Sequence, residues 1–132
     1  MKKPIAGIFS LALMGGFLLA ESIDPPQNHI NWMKSVAKAN GMIKKGEDVE
    51  NNAKSVAETF TKVGRFYKKR GLEVGVKTSD DAVTAANAIA KAAAASDKDG
   101  ISAGMKALGG SCKGCHDVHR EKISDTENKI KW

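Results

Sequence analysis

The strongest constraint on the fold is a spacing. Val49, Ala53, Val56, Phe60, Val63 and Tyr67 recur at alternating intervals of four and three, the repeat that lays apolar side chains along one seam of a helix packed against others. Gly71 stands where such a helix would stop. Three further stretches share the helical period. From Pro25-Pro26 to about Lys45, Ile30, Met33 and Ala37 form one stripe and Trp32, Val36 and Ile43 an adjacent one, with Gly41 and Gly46 weakening the end. Thr78-Ser79-Asp80-Asp81 reads as the cap and acidic first turn of a third helix, running through Ala82, Ala86, Ile89 and Ala93 to about Ser96. A fourth follows Asp97-Lys98-Asp99-Gly100 and carries Ile101, Met105, Leu108, Cys112 and Cys115 at the same alternation. No stretch shows a strand period, and aromatic residues make up only 5% of the 132. Four helices joined by short loops predict an all-α, antiparallel up-and-down four-helix bundle.

Outside the helices, Lys2 and Lys3 precede an uncharged apolar run from Ile5 to Ala20, which reads as an export signal over residues 1–20, cleaved after residue 20 or 22. A retained membrane anchor is the alternative, although sixteen residues are short for the roughly 30 Å hydrocarbon layer. The remaining chain divides into a helical domain over 23–122 and a C-terminal tail over 123–132, in which Ile123, Ile130 and Trp132 are the scattered apolar residues. That tail is expected to lengthen the fourth helix, reach a partner subunit, or fray. Without Lys2 and Lys3 the 21 bases fall to 19 against 15 acids, a formal +4, too mild for a nucleic-acid binder. Lys62, Arg65, Lys68, Lys69 and Arg70 crowd one stretch that Glu47, Asp48 and Glu50 open. Complementing a helix macrodipole accounts for much of this asymmetry, and a partner-docking patch is the competing reading.

The chain's two cysteines fall in Cys112-Lys113-Gly114-Cys115-His116, the pattern of c-type haem attachment. On a helix these three side chains project from one face, so two thiols can form thioethers with the haem vinyls while His116 reaches the iron. Three other readings compete: a disulfide, a thioredoxin-like site, and a zinc site completed by His119 or His29. Export, the helical seam and a His directly after the second Cys favour haem. Gly109-Gly110, inside the same helix, costs roughly 1 kcal/mol per glycine against alanine and is expected to mark close approach of another helix or of the haem.

Only sixteen residues follow His116, so a sixth ligand must come from upstream. Such a C-terminal motif on the last of four helices resembles the class II c-type cytochromes, the cytochrome c prime family. The resemblance covers residues from about Ile30 to Lys122 and is most specific over Ser111-Cys-Lys-Gly-Cys-His-Asp-Val-His-Arg120. His119 departs from it, because the family commonly has an aromatic residue there. The resemblance implies one covalently attached haem c, held by Cys112, Cys115 and His116. It also implies a distal residue on the first helix, four after an Arg. The matching span is His29-Ile30-Asn31-Trp32-Met33, which places Met33 at the iron as in the low-spin branch and His29 where the family has Arg.

Met33 is otherwise a packing residue on its stripe. Met42, nine residues on, lies about 180° around the helix, and Met105 shares a helix with His116. His29 would ligate iron, meet a propionate, or be solvated near a helix start, and Arg120 remains available for a charge-assisted bond to a propionate. With His116 and Met33 as axial ligands the expected function is periplasmic one-electron transfer, with transient docking of redox partner proteins and room for a homodimer. No nucleic-acid partner, and no membrane span in the mature chain unless the signal is retained, is expected. The alternative is a high-spin site binding nitric oxide or carbon monoxide. No acid/base pair, phosphate-cradling loop or nucleophile triad suggests an enzyme.

Overall fold

The computed structural model describes residues 25–132; the expected export signal lies outside the described residues. Four helices follow in order, α1 (Gln27–Lys44), α2 (Val49–Lys68), α3 (Glu73–Ala94) and α4 (Lys98–His119). Pro26, extended at φ −56° and ψ 144°, launches α1, where a proline's missing N–H is no loss. Tight turns separate the helices, and Gly46 and Gly71 occupy the first two at φ 74° and 67°, a left-handed conformation that costs glycine nothing. The Asp97 side chain accepts the Gly100 N–H at 2.9 Å and caps α4.

The heptad seam of α2 is the centre of the core. Ala53, Val56, Phe60, Val63 and Tyr67 are all buried, against Ala82, Ala86 and Ile89 of α3 and Leu108 of α4. Each large side chain removed from water contributes about 1.5–3 kcal/mol. Consecutive helices pack on one another: α1 on α2, α2 on α3, α3 on α4. The joints are close because small residues line them. A Cβ on Gly75 would lie 2.3 Å from the Tyr67 ring, and one on Gly104 would lie 2.5 Å from Ile89.

Four expectations are corrected. α3 begins at Glu73, not at Thr78, because Gly71 turns the chain and Leu72 leads straight into the helix. The Thr78 and Ser79 hydroxyls instead donate back to the Val74 and Gly75 carbonyls inside it. The chain is not free of strands: β1 (Arg120–Lys122) pairs antiparallel with β2 (Asn128–Ile130). The tail therefore neither extends α4 nor frays. It folds back, burying Ile130 in the core and setting Trp132 against Phe66 at 6.1 Å. Gly109 and Gly110 are not points of close helix approach either, since a Cβ at each would meet nothing within 4 Å.

Candidate haem-attachment site

The C-terminal half of α4 brings Cys112, Cys115 and His116 together, all three half-buried. Both cysteines are free thiols at the margin of the core. Burial pushes the Cys112 thiol up from its ordinary range, and Cys115 beside it adds to the shift. Burial likewise holds the His116 imidazole below its ordinary value; the Arg120 guanidinium acts in the same direction and Asp117 opposes it. A neutral imidazole is the form that keeps a lone pair for a metal.

α2 supports the motif from behind. The Tyr67 hydroxyl lies 3.9 Å from the Cys115 sulfur, and the His119 ring stacks on the Tyr67 ring at 4.9 Å. His119 is held at two points by the tail: its Nδ1–H donates to the Lys131 carbonyl at 2.8 Å, and its own carbonyl accepts the Lys131 N–H at 2.8 Å. Because a carbonyl only accepts, Nδ1 carries a proton. Nε2 is buried without a hydrogen-bond partner among the described residues.

His29, on the first turn of α1, is 8% exposed, which overturns its reading as a solvated residue. Its ring lies 4.9 Å from Phe66, 5.9 Å from Tyr67 and 6.2 Å from Trp32. The stripe that α1 gives to the core is thus His29, Val36, Ala39 and Ile43. Ile30 and Met33, on the neighbouring stripe, are half-buried and Ala37 is exposed. Arg120 is exposed at the junction of α4 and β1.

These residues fit a flat prosthetic group better than a single ion. Among the described residues no three His, Cys, Asp or Glu side chains converge as a metal-ion site, so the zinc reading loses its geometry. No disulfide joins the two cysteines, which are both free thiols. α1 and α4, the remaining neighbours in such a bundle, make no contact comparable to the other three joints. Cys112, Cys115 and His116 on α4 and Met33 on α1 are each half-buried, with both cysteines and Met33 packed on the edge of the core. Tyr67 and His119 are the supporting residues that sequence reasoning missed. In the sequence Tyr67 is legible only as a seam residue, and His119 only as a departure from a motif and a candidate zinc ligand, since their contacts join positions 48 and 12 residues apart.

No helix among the described residues is long and apolar enough to cross a membrane. No curated protein and no solved structure matches the chain significantly. The family model described as Cytochrome C′ matches residues 27–120, a span that starts with α1 and ends just after α4. The chain therefore belongs to the cytochrome c′ family, the c-type cytochromes that carry one covalently attached haem c on a four-helix bundle and serve as electron carriers or ligand binders, typically in the periplasm.

Proposed function

We propose that the protein is a periplasmic one-electron carrier rather than an enzyme, and that His116 and Met33 would hold the iron of its haem. The observation that carries this reading is the position of Met33. Packed on the edge of the core beside the stripe that α1 buries, it is only half-buried. A thioether in that position keeps a face that a bound group can reach. Cys112 and Cys115 supply the thioether sulfurs, and His116 offers a neutral imidazole. Arg120, close enough to disfavour a charge on His116, is the base available to a propionate.

A haem with His and Met ligands supplies reversible one-electron exchange at a raised potential. The half-buried setting of the motif keeps water from much of it, and the packed α2–α3 core holds the attachment helix in place whichever charge is present. Partner docking at such a site is small and transient. Optical spectra of the purified holoprotein test the reading. Narrow, resolved α and β bands are expected on reduction, and Met33→Ala should convert them to a broad high-spin spectrum with rapid carbon monoxide uptake. A high-spin spectrum in the unmodified protein would replace the carrier by a gas-binding site.

A further inference from the structure

The basic run of α2 is only partly explained by the helix dipole. Arg65 and Lys68 lie in the last turn, where a cation complements the C-terminal carbonyls. Lys62 lies before that turn and Lys69 after the helix. With Arg65 these form a stripe along the outward face of α2, and all three are exposed. Ion pairs among the described residues are Lys54–Glu50, Lys77–Asp81, Lys113–Asp117, Lys122–Asp125 and Lys129–Glu121. None of them neutralises the stripe.

Its neighbour Arg70 is differently employed. The Arg70 guanidinium lies 3.6 Å over the Phe66 ring and 5.4 Å from the Trp132 ring, and it donates to the Phe66 carbonyl at 3.0 Å. A C-terminal tryptophan is thereby fixed next to the basic stripe while remaining 57% exposed. The four exposed large hydrophobics among the described residues are Val74, Val118, Ile123 and Trp132. They come from the start of α3, the end of α4 and the hairpin, which gather at the end of the bundle where α2 finishes. Tyr67, one residue before Lys68, touches Cys115, so this is also the end that bears the attachment motif.

We propose that this end, with Lys62, Arg65, Lys69, Arg70 and Trp132 as its principal residues, is a docking surface for an acidic electron-transfer protein. The proposal rests on the electron-carrier reading. Apolar contact beside a stripe of exposed, unpaired bases is what a steered, short-lived protein complex uses. An anionic lipid surface suits it less well, because Glu73, Glu121, Asp125 and Glu127 lie at the same end and a uniformly negative plane would repel them.

Stopped-flow reduction of the ferric holoprotein by a reduced plant-type ferredoxin, used as an acidic one-electron probe, tests the surface. Lys62→Glu/Arg65→Glu/Lys69→Glu should lower the second-order rate constant about tenfold or more at low ionic strength. The difference should vanish at about 0.5 M salt, where the screening length is only a few ångströms. The matched triple Lys44→Glu/Lys45→Glu/Lys98→Glu changes net charge equally at the far end and should cost far less. Circular dichroism and the haem spectrum of both triples should match the parent. Trp132→Ala should slow the reaction even at high salt. Equal losses in the two triples, or a salt-independent rate, would overturn the docking surface while leaving the carrier reading intact. Binding to phosphatidylglycerol vesicles that the first triple abolishes, with no change in the ferredoxin rate, would overturn it in favour of lipid. A high-spin parent spectrum would overturn both.

Discussion

The joint between α2 and α3 and the flank formed by α1 and α4 are built by opposite rules. At the joint, Ala53, Val56, Ala82, Ala86 and Ile89 are wholly buried, and glycine or alanine lets the backbones close up. On the flank, Met33, Cys112, Cys115 and His116 are each half-buried, and α1 and α4 make no comparable contact. The first region satisfies itself with side chains. The second leaves Met33 and the attachment motif partly covered at the edge of the core. Stability and chemistry are thus housed in different halves of one small bundle.

The sharpest way to break that comparison is to damage the joint. Ile89→Ala removes a side chain with no exposure and should lower unfolding free energy by about 2–5 kcal/mol, read as a shift of the urea midpoint, while the haem spectrum of the folded fraction stays unchanged. A changed spectrum would show that the two halves are not separable. Gly75→Ala is smaller and aimed at their meeting point. Its Cβ would lie 2.3 Å from the Tyr67 ring, so the ring must shift, at about 1–3 kcal/mol. Because Tyr67 also touches Cys115, this variant should perturb both stability and the haem absorption envelope.

The smallest effect concerns the flank alone. His116 in the haem-free protein should titrate below the ordinary 6.5, because burial and Arg120 disfavour its charged form. The sign follows directly. The stability linked to the neutral ring is complete above pH 6.5 and declines as pH falls toward the depressed folded value, where the unfolded chain binds the proton first. A proton NMR titration of the ring, with Arg120→Gln raising the midpoint, checks it. A midpoint at or above 6.5 would mean that the flank is more open than its burial indicates.

What local chemistry governs was readable from the residues. The four-and-three alternation of α2 set its buried face, Gly71 and Asp97 set turns and a cap, and Cys112, Cys115 and His116 named a haem motif, because periodicity, backbone freedom and ligand chemistry are properties of neighbouring residues. The misreadings fell where a distant contact decided the outcome. α3 starts before its apparent cap because the chain turns at Gly71 and the helix packs at once on Tyr67 through Gly75. The tail becomes a hairpin because Ile130 finds the core, Lys131 finds His119 and Trp132 finds Phe66 and Arg70. His29 is buried because Phe66 and Tyr67 arrive from another helix. The order of residues determined the helices and the attachment motif. Only the folded chain decided which stripe of α1 is buried, since that depends on which helices approach it, and no local pattern encodes an approach from elsewhere in the chain.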